Sequence, residues 1–142
     1  MTAPQVPLYI VKAVSRYPEP VRVRLLEIRK IIFATAAEAD GVGALTETLK
    51  WGEPAYLTEA SQSGTTIRLG ATRSNAAECA VLFNCKTTLV ETFRSHFAAT
   101  FAFEGNRALV LPVTGPLALE PLMLCLRAAL TYHLLKNTAF LP

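Results

Sequence analysis

Apolar residues recur along this chain in two different rhythms. Val21, Leu25, Ile28, Ile32 and Ala36 fall at i, i+4, i+7, i+11 and i+15, the stripe that one face of a 3.6-residue helix turns toward a core. The spacing predicts a helix from about Pro20 to Ala37. Pro20 suits its first turn, where no backbone donor is needed, and Gly41 and Gly43 end it. Arg24, Glu27, Lys30 and Glu38 alternate in sign on the opposite side, as a solvated face does. Arg22 and Arg29 project at the edge of the stripe, placed to snorkel past Leu26 and Phe33. A shorter helix is expected over Val6–Val14, ending before Pro18 and Pro20.

From Glu53 the rhythm shortens. PAYLT, TTIRLGA, ECAVLFN, TFAFE and RALVLP are rich in β-branched and aromatic residues, and turn-formers separate them: SQSG (Ser61–Gly64), RSNA (Arg73–Ala76) and EGN (Glu104–Asn106). Gly105 and Asn106 tolerate positive φ, which makes the last of these a hairpin signal. Between the third and fourth runs, TLVETFRSHF (Thr88–Phe97) is expected to be helical, with Leu89, Phe93 and Phe97 on one face. Leu119–Asn137 closes the chain as an apolar helix, with Pro121 in its first turn and Glu120 and Lys136 complementing the helix dipole. Leu122, Leu126, Ala129 and His133 share a face of it. Helices, then mostly antiparallel strands, then a helix across them define an α+β fold of about five strands, in one domain over residues 1–142.

The junction between the two rhythms reads LTETLKWGEPAY (Leu45–Tyr56). Leu45, Thr48 and Leu49 fit a short helix facing inward, with Glu47 and Lys50 meeting on its outer side. Gly52 permits a reversal after Trp51, and Pro54 keeps Glu53 out of the helical region. Trp51, the chain's one tryptophan, is expected to cover the end of the core, its indole N–H seeking an acceptor. Tyr56 enters the first strand.

Composition narrows the function classes. Half of the residues (51%) are hydrophobic and only 18% are charged, with a mean hydropathy of +0.32. So apolar a chain is expected to bury surface against a second copy, as a homo-oligomer. The net charge of +3, from 14 basic and 11 acidic residues, is not gathered into a basic stripe or a recognisable module, so no nucleic-acid partner is expected. The longest uncharged stretch, ALVLPVTGPLAL (Ala108–Leu119), is too short to span a bilayer and is broken by Pro112, Gly115 and Pro116. No basic residue precedes the short apolar patch near the N-terminus, so no signal peptide is expected. Cys79, Cys85 and Cys125 are odd in number and lack CxxC spacing. They read as reduced, buried structural thiols of a cytoplasmic protein.

Catalytic chemistry finds little purchase. His96 and His133 form no HxH, HxxxH or HExxH, and no nucleophile elbow, dinucleotide turn or phosphate loop occurs. No catalytic residue, metal ligand or cofactor is assigned on these grounds. A small-molecule site offers an aromatic wall and a few convergent polar groups, and Lys50, Trp51, Glu53 and Tyr56 are the residues expected to line one. There Lys50 would meet an anionic group and Trp51 would supply a stacking face. An enzymatic alternative pairs distant groups, such as Glu53 with His133, as acid and base.

A helix followed by L-K-W-G-E-P-A-Y and a hairpin carrying I-R-L-G resembles the YdhG-like domain family, a bacterial domain of unknown function. FEGNRALVLPVTGPLALEPLMLCLRAALTYH is similar to that family's closing strand pair, proline-rich turn and final helix. The matches run from about Tyr17 to His133. They imply a compact α+β domain of helices packed on a small curved sheet. Some members are described as frataxin-like iron chaperones, so the resemblance also implies a metal-carrying alternative. Iron favours oxygen ligands, and the candidates would be Glu47, Glu53 and Glu59, with His133. They are scattered in a net basic chain.

Overall fold

The computed structural model describes residues 3–72 and 76–135, the side chain of Leu135 excepted. Helix α1 (Leu8–Val14) is followed by α2 (Glu19–Glu38), whose first turn contains Pro20, where the missing N–H leaves no hydrogen bond unmade. Beyond α2, Ala39 is extended, and Gly41 and Gly43 take φ of +86° and +68°. The expected stripe is inside: Val21, Leu25, Ile28, Ile32 and Ala36 are all buried. Each of its larger side chains stabilises the fold by roughly 1.5–3 kcal/mol.

Arg24 departs from the solvated face expected of it and is buried. The loop ahead of the last helix passes over it, and Gly115 O accepts from its Nη2 at 2.5 Å while Glu27 accepts from Nη1 at 2.9 Å. Arg22 stays at the edge of the stripe and pairs with Glu19.

Six strands form one antiparallel sheet: β1 (Thr46–Lys50), β2 (Glu53–Leu57), β3 (Ile67–Ala71), β4 (Glu78–Phe83), β5 (Ala102–Glu104) and β6 (Ala108–Pro112), in the order β1-β2-β3-β4-β6-β5. The five expected strands are present, and the expected short helix over residues 45–49 is instead the sixth strand, β1. It pairs with β2 from Thr46↔Leu57 to Lys50↔Glu53. The residues of Arg73–Ala76 that precede Ala76, in the expected turn between β3 and β4, lie outside the described residues. Helix α3 (Leu89–Phe97) lies between β4 and β5 in sequence.

Side chains alternate across the sheet. Tyr56, Ile67, Leu69, Val81, Leu109 and Leu111 share one core with α2, α3 and α4 (Leu119–Leu130), and Phe83 meets Phe93 edge-on at 5.2 Å. The continuous final helix expected to Asn137 breaks at Thr131, before α5 (Tyr132–Leu135). The cause is the loop between β2 and β3. Ser63 Oγ donates to Leu130 O at 2.8 Å, Thr65 N donates to Ala129 O at 2.9 Å, and Ser63 O accepts from His133 N at 2.8 Å. Groups that would continue the helix are thus engaged, and His133 leaves the buried stripe for the surface. Lys136 and Asn137 lie outside the described residues. Among the described residues no helix is long and apolar enough to cross a membrane.

Cys79 and Cys125 are buried, and burial pushes both thiols up to about 12. Cys85 differs from expectation: it is exposed, in the turn that follows β4.

Candidate functional site

β2 sends consecutive residues to different layers. Pro54 and Tyr56 point into the core, whereas Glu53 and Ala55 lie on the face turned away from α2 and α4. Tyr56, one of the four expected site residues, is therefore fully buried. Its hydroxyl donates to Glu47 Oε2 at 2.8 Å, and the same carboxylate accepts from Arg29 Nε at 2.6 Å and Nη2 at 3.0 Å. Arg29, 1% exposed, lies over Phe33 at 4.9 Å. Burial, then Glu47, raises the Tyr56 phenol above its ordinary range. The hydrogen bond that Arg29 donates to Glu47 raises the guanidinium pKa despite the opposing effect of burial. This is a satisfied buried ion pair, and Glu47 never meets Lys50, which lies on the other face.

The hairpin joining β1 to β2 has two residues, Trp51 and Gly52, closed by the Lys50↔Glu53 pair. Their φ values are +56° and +75°, the signs of a type I′ turn, which matches the twist of the paired strands. Glycine adopts that geometry freely and asparagine tolerates it, but a bulky aromatic rarely does. Trp51 does not cover the core as expected. It is 87% exposed, because the turn aims it past the end of the sheet.

Trp51 stands at the rim of a hollow of about 730 Å³ on the face turned away from α2 and α4, with Glu53, Arg68, Glu104 and Arg107 around it. Small residues form part of its floor: Ala80, which pairs with Gly70, and Ala108, which pairs with the larger Leu82. At Gly70 any Cβ would overlap the Glu53 carboxylate, so glycine is what lets that carboxylate lie flat on the sheet. Glu53 Oε1 accepts from Arg68 Nη1 at 2.6 Å, and both side chains are largely buried. A second hollow of about 260 Å³ adjoins, reached by Lys50 and Asn84 and sharing Trp51, Arg68 and Arg107 with the first.

Burial raises the Glu53 carboxyl above its usual range, against the opposing pull of Arg68, Arg16 and Arg107. The folded chain therefore holds this proton more tightly than the unfolded chain. Above the unfolded pKa, about 4.3, the ionised group weakens the fold, and the penalty disappears as pH falls below that value. Glu53→Gln is expected to melt above the parent at pH 7, with the two melting curves converging below about pH 4. A variant that melts lower at pH 7 would show that the Arg68 pair outweighs burial.

Lys50, Trp51 and Glu53 are thus brought to adjoining hollows and Tyr56 is not. Sequence reasoning missed Arg68, Glu104 and Arg107. Arg68 carried a signal, since it stands between the inward Ile67 and Leu69. Glu104 and Arg107 flank a recognisable turn, but only the strand order brings that turn opposite Trp51.

The carboxylates proposed for metal do not converge. Glu47 faces the core, Glu53 the hollow, and Glu59 is exposed after β2. Among the described residues no group of three or more His, Cys, Asp or Glu is placed to hold a metal ion. His133 lines neither hollow. His96 Nδ1 lies 2.9 Å from Thr92 O, within its own helix.

No family model and no curated protein sequence matches the chain. Among solved structures it is similar to the crystal structure of YdhG from Bacillus subtilis, described as a protein from the DUF1801 family. The TM-score is 0.64 at 15% sequence identity, covering 92% of this chain and 94% of that one. Likeness at that identity speaks to architecture, and the iron-carrying role draws no support from it. The six-stranded antiparallel sheet under its helices is the YdhG-like α+β fold that the K-W-G-E-P-A-Y corner and the closing strand pair resemble.

Proposed function

We propose that this chain is a small, non-enzymatic cytoplasmic module that binds an anionic, flat small molecule in the hollows beside Trp51. One observation carries the reading: the lone tryptophan sits at a positive φ that disfavours it, and almost none of its surface is buried in the fold. A left-handed conformation costs a residue with a Cβ roughly 1–2 kcal/mol, and backbone strain of this kind gathers at functional positions. An aromatic ring held there earns its place through something outside the fold. Lys50, Arg68 and Arg107 stand beneath and beside it, which supplies positive charge for an anion next to a stacking surface. The larger hollow falls in the range of small-molecule sites, roughly 300–1,000 Å³.

Trp51→Asn separates binding from folding. Asparagine before glycine is the preferred type I′ pair, so the variant is expected to be more stable than the parent by about 1 kcal/mol. Phenyl phosphate serves as the probe, its ring resonances followed by ligand-observed NMR. The parent is expected to broaden them and the variant to leave them sharp. A parent that leaves the probe unaffected, or a variant that binds it as well as the parent does, would refute the proposal.

A further inference from the structure

The two hollows differ in charge, and that difference specifies more than an anion. The smaller one is lined by Lys50, Arg68 and Arg107 and by no carboxylate. The larger one shares both arginines but adds Glu53 and Glu104. The Arg68 charge is matched by Glu53 at 2.6 Å, while Lys50, Glu104 and Arg107 belong to no ion pair among the described residues. Once the internal pair is set aside, Lys50 and Arg107 remain in the smaller hollow, and the larger one adds Glu104 beside the shared Arg107. A purely anionic ligand long enough to enter both hollows would bring its charge toward Glu104.

We propose that the paired hollows select a dipolar ligand: an anionic group held by Lys50 and Arg107 in the smaller hollow, a flat middle against Trp51, and an ammonium or amine directed to Glu104 in the larger one. The inference rests on the anion-binding reading given above and adds the second, cationic end. The volumes agree with the division. About 260 Å³ suits a compact group such as a phosphate or carboxylate, and about 730 Å³ leaves room for the longer amine-bearing part. Glu104 and Arg107 are the two ends of the β5–β6 turn, with Gly105 at φ +57° between them. One tight turn thus presents both signs of charge three residues apart in sequence.

Two probes test it: phenyl phosphate and 4-(aminomethyl)phenyl phosphate, which differ by one ammonium-bearing arm. Their affinities are read from quenching of the lone tryptophan on the full chain. The aminomethyl compound is expected to bind about tenfold more tightly, and Glu104→Gln is expected to erase most of that advantage while leaving phenyl phosphate binding unchanged or slightly improved. Glu104 is exposed on a short edge strand, so the substitution leaves the fold intact. Equal affinity of the two probes for the parent would overturn the dipolar site while leaving anion binding standing, as would an advantage that survives Glu104→Gln. Failure of both probes to quench would remove the anion-binding reading and this one together.

Discussion

Glu47→Ala is expected to destabilise the protein by about 3–5 kcal/mol, the cost of stranding one partner of a buried ion pair. Glu47 is 8% and Arg29 1% exposed, and two arginine nitrogens and the Tyr56 hydroxyl converge on the one carboxylate. Its removal leaves a guanidinium in the core with the Gln5 carbonyl, at 3.4 Å, as its remaining hydrogen-bond acceptor. Natural domains have about 5–15 kcal/mol in hand, so the variant is expected to be unfolded in part at physiological temperature. Urea denaturation checks this: the midpoint falls while the slope is retained. Tyr56→Phe is the control, expected to cost only about 1 kcal/mol because it removes one hydrogen bond and no charge. A Glu47→Ala midpoint within the error of the Tyr56→Phe value would show that the pair is solvated, against the burial seen here.

Gly64→Ala is expected to cost about 3 kcal/mol, the upper end of the range for overpacking, from a single methyl group. A Cβ at Gly64 would collide with the Ala129 and Leu130 carbonyls and with the Leu130 carbonyl carbon. All are main-chain atoms at the end of α4, so no rotamer change relieves the clash. The Ser63 and Thr65 hydrogen bonds to the same carbonyls would be broken in the displacement, and with them the stop that ends α4. Thermal unfolding compared with Gly43→Ala separates this from loss of glycine's conformational freedom, since Gly43 has positive φ but open space around it. A Gly64 variant no worse than the Gly43 variant would place the loop further from the helix.

The legible parts of the fold are those where a periodic apolar signal is local. The α2 stripe, the β3 and β4 runs and the β5–β6 turn each announce themselves within about ten residues. β1 does not. Its one fully inward polar group is Glu47, paired with an arginine 18 residues upstream, so TETLK shows no apolar alternation and its Leu45–Thr48–Leu49 spacing imitates a helix. Arg24 and the break at Thr131 were hidden for the same reason, because the cause of each lies far along the chain: Gly115 for the first and Ser63 for the second. At the site, Trp51, Glu53 and Lys50 are neighbours in sequence, and that alone groups them. Proximity in sequence groups Tyr56 with them, although the residues of a strand three apart face opposite ways. Glu104 and Arg107 require the strand order itself.

Because successive residues of β2 serve different layers, the outer face of the sheet can be rewritten without disturbing the interior beneath it. Exchanging Glu53 or Arg68 alters what a visitor meets, yet leaves Tyr56, Ile67 and Leu69 in place to specify the architecture. Chains built on this plan are accordingly free to change the chemistry of that face at little risk to foldability. Two proteins of common shape and 15% identity are the outcome such a division of labour allows.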